Sequence, residues 1–440
     1  ASGVRTKVCL VGRTGYAIFS YDNPYYFDLS YRVDGSSKFG SDKRFAPFWS
    51  AGIGWNIHRE KFMKDQHIFS NLRLKASYGV TGTQDFTTES AYTTYQYSND
   101  NRYLTWAAAQ MMGLGNSNLT WQKTKEWNFG TEIGVLDNRI NFEFNYYRKT
   151  TSNLLSAMDL PLSSGFSSYT ANVGTMRNSG FEASLNAYII RDSNRRFNWM
   201  VGGQMVYNKN TIVKLSDAIK EQNELYLSQD VDVSNLFYEG KPLNAIYAVR
   251  SAGIDPSTGE EVFYDRNGNL TSTWNASDKV YLGSSQPLWR GNFRTMIMWR
   301  DFTFNVSFGY HFGGKLFNTT LRDRVEVNRA TIGRKNVDER VLSSRWMNPG
   351  DVTFFRNFND DTATTHATSR YVFDDRVLEL QSMSLQYRWN NDWLHTHTGL
   401  ESLVFAINAS DLFYWSSVKY ERGTSYPYAR NVQGTVTLTF

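Results

Sequence analysis

The sequence is poor in the features that would divide or cross-link it. Cys9 is its only cysteine, so no disulfide forms within these 440 residues, and it has only 8 prolines. No low-complexity linker is present, which favours one continuous architecture. No run of about 18 apolar residues occurs, and this excludes a protein that crosses a membrane with helices. The net charge of +5 comes from scattered basic residues, so we expect no nucleic-acid partner.

Signatures of catalysis are missing as well. No GxSxG, HExxH, P-loop or dinucleotide-binding motif occurs in a workable context, so we expect neither an enzyme nor a cofactor. Three pairs of adjacent carboxylates are interpreted as solvated loop charges rather than as catalytic or cation sites. These pairs are Glu260/Glu261, Asp360/Asp361 and Asp374/Asp375.

Two other motifs resemble metal sites only in part. His395 and His397 would share one face of an extended segment, but no third ligand is in view, so they are interpreted as interfacial polar residues. DRNGN at residues 265–269 lacks the alternating ligands and closing Glu of an EF-hand loop, and it predicts a hairpin turn. We expect no metal site.

Aromatic residues make up 16% of the chain, and many of them follow a period of two. Asp301–Phe312 reads DFTFNVSFGYHF, and the last residues, NVQGTVTLTF, repeat the alternation. Such segments predict strands with one apolar and one polar face. The mean hydropathy of −0.50 is compatible with a membrane location, because transmembrane β-barrels turn apolar side chains outward and keep a polar lumen.

About thirteen strands of this kind are predicted, mostly in pairs joined by short polar turns. The pairs are 8–20 with 25–33, 48–57 with 72–80, 127–135 with 140–147, 181–189 with 197–207, 289–299 with 302–312, and 377–389 with 403–407, followed by 428–440. Long loops are predicted near 81–120, 148–178, 208–287, 313–376 and 409–427. Short turns on one rim and long loops on the other are the layout of an all-β, antiparallel transmembrane β-barrel of the outer membrane.

Aromatic residues beside the short turns support this orientation, because they would form an interfacial girdle. They are Tyr25, Tyr26, Trp55, Trp199, Trp299, Trp389 and Trp393. The first and last strands would run to the same side of the membrane, so their number is odd. A single-chain bacterial barrel has an even number of strands, so this chain cannot close one by itself. Unpaired strand edges are costly in lipid, so we expect further strands to come from elsewhere.

Several collinear segments resemble the SusC/RagA family of TonB-dependent outer-membrane transporters. The first is YYFDLSYRVDGSSKFGSDKRFAPFWSAGIGWNIHREKFM at 25–63, and the others lie at 71–84, 116–187, 240–268, 282–293 and 312–318. The resemblance extends from about residue 5 to residue 440. It implies the C-terminal thirteen strands of a barrel of about 22 strands, with one domain over residues 1–440 and no plug in this chain.

The resemblance also implies partners. We expect the plug and the remaining strands from a separate chain or a missing part, TonB acting through that plug, and outer-membrane lipid around the barrel. A SusD-like surface lipoprotein would close the barrel as a lid, and two transporter–lid pairs would form a dimer.

Charged residues at alternate strand positions are predicted to face the lumen. On the lipid side near the middle of the membrane, Arg or Lys would cost about 2 to 4 kcal/mol each. The set is Asp28, Arg32, Arg73, Lys75, Glu132, Glu143, Glu182, Arg290, Arg294 and Arg388. Two interpretations are open: these residues line a pore or pack against a plug, or some of them bind cargo. The structural interpretation, lining or packing, is favoured for most of them.

Aromatic residues in the long loops are candidates for cargo binding, since sugar rings and peptide side chains stack on them. These are Tyr95, Tyr103, Trp106, Tyr169, Trp274, Trp346 and Phe355, and packing between loops is an equally weighted alternative. We expect TonB-dependent import of nutrient oligomers, oligosaccharides first and oligopeptides next. The alternative is a passive or structural outer-membrane barrel.

Overall fold

The computed structural model describes residues 8–39, 44–83, 91–103, 106–159, 165–166, 168–227, 236–334, 336–358, 364–418 and 430–440. Most of these residues lie in strands. None of the helices in these ranges combines the length and the apolar content that a membrane span requires.

The strands, in chain order, are β1 Leu10–Tyr21, β2 Tyr25–Ser36, β3 Phe45–Asn56, β4 Phe69–Thr83, β5 Thr94–Tyr103, β6 Trp106–Gly113, β7 Gln122–Val135, β8 Ile140–Asp159, β9 Ser168–Asp192, β10 Phe197–Leu215, β11 Ala245–Ile254, β12 Glu261–Tyr264, β13 Leu270–Thr271, β14 Lys279–Ser284, β15 Trp289–Trp299, β16 Phe302–Phe317, β17 Val372–Trp389, β18 Ser402–Ser410, β19 Tyr414–Ser416 and β20 Asn431–Thr439. The α-helices of the described ranges are α1 Asp217–Leu227, α2 Arg329–Ile332 and α3 Asp392–Thr398. Single 3-10 turns lie at Ile57–Arg59, Lys61–Met63, Ala276–Asp278, Glu339–Leu342 and Ser369–Tyr371, and a π-helical turn at Leu321–Val325.

One antiparallel sheet contains all the strands that the sequence predicted. Its order is β1-β2-β3-β4-β7-β8-β9-β10-β15-β16-β17-β18-β20, and the short β19 pairs with β17 beside the end of β18. The predicted count of about thirteen strands is therefore confirmed. At the short turns the bounds also agree, since β8 begins at Ile140 and β10 at Phe197 as predicted.

At the other end the strands are longer than predicted. β8 continues to Asp159 and β9 already begins at Ser168, so most of the predicted loop 148–178 is strand. The prediction stopped where apolar residues cease to alternate, but main-chain pairing continues past that point. The hairpin of β7 and β8 shows this, because Lys125, Thr124 and Lys123 pair with Thr150, Thr151 and Ser152.

The chain divides into two compact units. The first comprises Ala1–Phe181, Lys209–Gln222 and Phe237–Leu243, and the second comprises Glu182–Asn208, Asn223–Leu236 and Asn244–Phe440.

In the first unit the register separates the two kinds of side chain. Phe27, Ile53, Ala76 and Phe129 pair in one row across β2, β3, β4 and β7, and Asp28, Gly52, Ser77 and Asn128 pair in the next. Successive residues of a strand point to opposite faces, so the first row defines an apolar face and the second a polar face. Ile53 and Phe129 are about half exposed, at 58% and 48%, which fits a surface that contacts hydrocarbon.

The second unit shows the same division. An apolar row crosses β16, β17, β18 and β20 at Phe302, Tyr387, Phe405 and Val436. The side chains of Phe302, Phe405 and Val436 are exposed. Thr303 and Gln386 pair in the adjacent polar row. The predicted alternation therefore holds in both units.

Two of the short turns have left-handed backbone at Asp and Asn residues. Asp22 and Asn23 at one turn, and Asp137 and Asn138 at another, have positive φ, which Asn and Asp tolerate better than most residues. Tyr25 stacks on Trp55 beside the first of these turns, and Trp55 Nε1 donates to Glu60 Oε1 at 2.9 Å. Hydrogen bonds from Tyr25 and Trp55 hold the pKa of Glu60 below its usual value.

One residue assigned to the girdle lies elsewhere. Tyr26 pairs with Gly54 on the polar face, and the Arg73 guanidinium lies 4.5 Å from the centre of its ring. A side chain at position 54 would overlap this ring, so glycine there makes room for it. Trp389 and Trp393, by contrast, stack at the short link before β18 with ring centroids 5.7 Å apart.

The segments predicted only as loops contain structure of their own. The interval 81–120 contains the hairpin β5–β6, and 208–287 contains α1 and a four-stranded sheet in the order β13-β12-β11-β14. Ala245–Val249 of β11 are buried at every position, and Ile246 and Ala248 pack with Ala367. The predicted hairpin turn at 265–269 is confirmed, since it joins β12 to β13.

Candidate functional site

The charged residues of the polar face form a network in the first unit. Lys75 Nζ lies 3.0 Å from a carboxylate oxygen of both Glu132 and Glu143, and Arg73 lies 3.7 Å from Glu132. Glu132 and Glu143 are direct cross-strand partners, so Lys75 offsets the repulsion of two adjacent carboxylates. The structure thus brings together four residues that the sequence predicted to share a face.

Two more predicted residues occupy the polar face of β2. Arg32 forms an ion pair with Asp34, two residues along the same strand. Asp28 lies over Gly52, where a Cβ would come within 2.4 Å of its carboxylate. Glycine at 52 therefore leaves the space that the Asp28 side chain occupies.

The remaining predicted residues belong to the second unit. Arg294 Nη2 donates to Asn186 Oδ1 at 3.0 Å, and Glu182 lies four residues before Asn186 in β9, which places it on the same face. Arg290 pairs with His311 across β15 and β16. Arg388 pairs with Val404 near the short link that precedes β18.

The aromatic cargo candidates separate into exposed and packed groups. Tyr95 and Trp106 in the hairpin β5–β6 are 60% and 76% exposed, and Tyr97 between them is 78% exposed. Tyr103 pairs with Trp106 through its backbone, but its side chain lies outside the described residues. Among the described candidates, the exposed rings are therefore those of this hairpin.

The other aromatic candidates are packed. Tyr169 packs against the apolar cluster around Ile212, and Trp274 stacks on His366 with ring centroids 4.2 Å apart. Trp346 and Phe355 are 7% and 5% exposed, and Trp346 Nε1 donates to Pro256 O. Packing between loops is therefore the role that these two residues have here.

A buried ionic network between β16 and β17 was missed from the sequence. Arg370 donates to Glu261 Oε2 at 2.7 Å and to Glu326 Oε1 at 2.9 Å, and the Tyr371 hydroxyl donates to Glu326 Oε2. Glu326 has no exposed surface, and Glu261 is 9% exposed. The interpretation of Glu261 as a solvated loop charge is wrong, since it lies at the start of β12 against Arg370.

The environment of this network favours the ion pair. Burial alone would lower the pKa of Arg370, but the carboxylates of Glu326 and Glu261 raise it above the usual value. Burial, followed by the charge of Glu326, raises the pKa of Tyr371, so its hydroxyl remains a donor. The partners lie 44 and 109 residues from Arg370, and no local sequence pattern signals such contacts.

Arg345 holds the same region together through the backbone. Its guanidinium donates to the carbonyl oxygens of Val341, Val325 and Arg356 at 2.8, 2.8 and 3.1 Å, and it lies 3.9 Å from the centre of the Phe358 ring. Burial lowers the pKa of Arg345 to about 10. The long segment 313–376 therefore contains a tightly bonded, charged core rather than an open loop.

One other carboxylate pair and the segment that carries the two histidines also differ from prediction. Asp374 and Asp375 lie in β17 rather than in a loop, paired with Lys315 at 2.6 Å and with His311 at 3.0 Å. Asp360 and Asp361 lie outside the described residues. His395 and His397 lie on α3, not on an extended segment, and His397 stacks on Trp393.

The known proteins to which this chain is similar are TonB-dependent receptors. Residues 13–328 match the model of a family described as TonB dependent receptor-like, beta-barrel. The chain is 26% identical to TonB-dependent receptor P39 of Formosa agariphila, over 93% of this chain and 42% of the relative. It is 26% identical to TonB-dependent receptor SusC of Bacteroides thetaiotaomicron, over 91% of this chain and 40% of the relative.

Solved structures show the same architecture. The RagAB peptide importer in its closed-closed state superposes with a TM-score of 0.80 and 26% identity, over 93% of this chain and 44% of the other. The chain therefore spans less than half the length of the relatives that it matches.

Proposed function

Because this chain belongs to the TonB-dependent receptor-like β-barrel family and is of the SusC/RagA type, we propose that it forms most of the barrel wall of a nutrient importer. Proteins of this family are integral to the outer membrane of bacteria, and this chain is part of such a protein. The family is one of transporters and receptors rather than of enzymes.

One observation carries the proposal: the long antiparallel sheet has an exposed apolar face and a charged polar face. A soluble protein rarely leaves so many large apolar side chains exposed in one contiguous surface. A wall between lipid and a water-filled passage requires this arrangement, because strands alternate between the two environments.

The proposed cargo is an oligomer captured at the ends of the strands opposite the short turns. The exposed rings of Tyr95, Tyr97 and Trp106 suit stacking on sugar rings, which supports oligosaccharides in the first place. Oligopeptides are the second candidate, since the RagAB structures that share this fold are described as a peptide importer.

We also propose the partners that such an importer needs. Every residue of β1 and β20 is exposed, and each of these strands pairs on one side only within the described residues. Additional strands would pair with these edges, a plug would fill the lumen, and TonB would act on that plug. A SusD-like lipoprotein would cover the outer opening of the barrel, and two pairs of transporter and lipoprotein would form a dimer.

Uptake by living cells tests this proposal. A strain that lacks the gene is complemented with the full-length protein, and the uptake of defined glycans and of defined peptides is measured with and without a protonophore. We expect restored uptake of one cargo class that stops when the proton gradient is dissipated. Uptake that persists without the gradient would indicate a passive barrel. If the uptake of every cargo is the same with and without the gene, import is refuted.

A further inference from the structure

A polar pocket lies on the sheet of the second unit. It has a volume of about 410 Å³ and crosses β10, β15, β16 and β17. Its polar lining comes from Gln204, Arg290, Asn292, His311, Glu379 and Gln381. The volume falls within the range of roughly 300–1,000 Å³ that is usual for small-molecule sites.

At the centre of the pocket β16 has a glycine, which leaves room for a polar side chain of the neighbouring strand. Gly309 pairs with Asn292 on one side and with Glu379 on the other, so β16 itself contributes no side chain between them. The Gln381 amide lies across this gap, since a Cβ on Gly309 would come within 2.2 Å of Gln381 Nε2. The same amide donates weakly to Glu379 Oε1 at 3.5 Å.

Arg290 is exposed in this pocket, and its guanidinium makes no ion pair within the part of the chain that the structure describes. Its neighbour Arg294, four residues along the strand, is satisfied by Asn186 instead. His311, the cross-strand partner of Arg290, is held by Asp375 through Nε2 at 3.0 Å. The pocket therefore presents a guanidinium whose donors are available to a ligand.

Glu379 does not neutralise Arg290. The two residues are separated by two strand spacings and by one two-residue step along the strand, which places their Cα atoms about 12 Å apart. Glu379 also lies beside Gln381, which shares its carboxylate. The positive charge of Arg290 and the negative charge of Glu379 thus lie at opposite ends of the pocket, with neutral amides between them.

Aromatic stacking contributes little in this pocket. The phenol ring of Tyr310 lies on the opposite face, because its hydroxyl is 2.6 Å from where a Cβ of Gly291 would be, and the His311 imidazole is held by Asp375. Selection must therefore depend on charge and hydrogen bonding. A guanidinium binds a carboxylate through two parallel hydrogen bonds, which gives both affinity and orientation.

We propose that this pocket is a cargo subsite that takes a carboxylate group of the passing oligomer on Arg290. The amides of Gln204, Asn292 and Gln381 bind the neighbouring hydroxyl or peptide groups, and Glu379 repels a second carboxylate at the far end. The inference rests on the proposed import function and narrows its cargo to oligomers that carry carboxylates, either uronate glycans or peptides.

Binding to the purified full-length protein tests the subsite separately from transport. The probes are an oligosaccharide with a single galacturonate and a tripeptide without acidic side chains, each compared with its methyl ester, and the ratio of the two dissociation constants is measured. We expect the acid to bind more tightly than the ester, and Arg290→Gln to reduce that preference roughly tenfold or more. Arg290→Lys should retain part of it, because the charge remains while the fork geometry is lost.

Arg388→Gln provides the matched control, since Arg388 lies on the same face of the sheet near its other end, outside the pocket. An equal loss in Arg388→Gln and Arg290→Gln, or an unchanged ratio in Arg290→Gln, would overturn the subsite. The probe that shows the effect identifies the source of the carboxylate. Retained binding selectivity without any uptake would refute import but leave the subsite standing, so the two failures are distinguishable.

Discussion

At the scale of single residues, Arg370 is the position on which the segment between β16 and β17 depends most. It joins Glu261 at the start of β12 to Glu326, whose side chain has no exposed surface. Replacing one member of a buried ion pair leaves an uncompensated charge, which costs about 3–5 kcal/mol. The loss would be local, because these residues all lie in the second unit, outside the strands of the main sheet.

We therefore expect Arg370→Met to open this segment. Hydrogen exchange of the amides of 261–264 and 354–357 should accelerate strongly, while exchange in β16 should change little. Arg376→Met is the control, since Arg376 is 62% exposed and lies 3.7 Å from Asp374, a geometry worth less than about 1 kcal/mol. Equal protection in the two variants would show that the network does not hold the segment.

Single residues also show which placements could be predicted from the sequence and which could not. Alternation places Arg73, Lys75, Glu132 and Glu143 on one face, and the structure adds their ion pairs. Glu261 was misjudged because its partner, Arg370, lies 109 residues away. Nothing local distinguishes a carboxylate that meets such a partner from one that meets water.

At the scale of secondary structure, the hairpin β5–β6 carries the exposed rings that the import proposal requires. We expect Trp106→Ala to weaken cargo uptake at low cargo concentration by about 2–10-fold, the loss of one stacking contact of about 0.5–1.5 kcal/mol. Maximal uptake should remain, because Trp106 is 76% exposed and does not support the main sheet.

Phe62→Ala is the control for the hairpin variant. Phe62 is also strongly exposed, at 69%, but it lies in the link between β3 and β4, at the end of β4 opposite the hairpin. Initial uptake rates across a range of cargo concentrations measure both variants. If Phe62→Ala weakens uptake as much as Trp106→Ala, the hairpin has no particular role in capture.

The elements show why some strands were predictable and others were not. Strands of the main sheet face two different environments, so a period of two is present in the residues. β11 is buried on both faces, and its AIYAV run therefore lacks that period. β12 and β13 are only four and two residues long, which is too short for any pattern to appear.

At the scale of the whole molecule, the sheet is divided into an apolar face and a polar face. One row of the sheet pairs Phe304 with Leu385, and the next pairs Asn305 with Ser384, whose side chains are hydrogen-bonded at 3.3 Å. If the sheet is a wall between lipid and water, the first row contacts hydrocarbon and the second contacts water. The two rows are separated by one residue along each strand.

Thiol labelling of the full-length protein in outer-membrane vesicles measures this division directly. Single cysteines replace Phe304, Leu385, Asn305 and Ser384 in a Cys9→Ser background, and their reaction with a charged maleimide that cannot enter lipid is followed. We predict rapid labelling at Asn305→Cys and Ser384→Cys, with little at Phe304→Cys and Leu385→Cys. Equal labelling of the two rows, or the reverse order, would contradict the account.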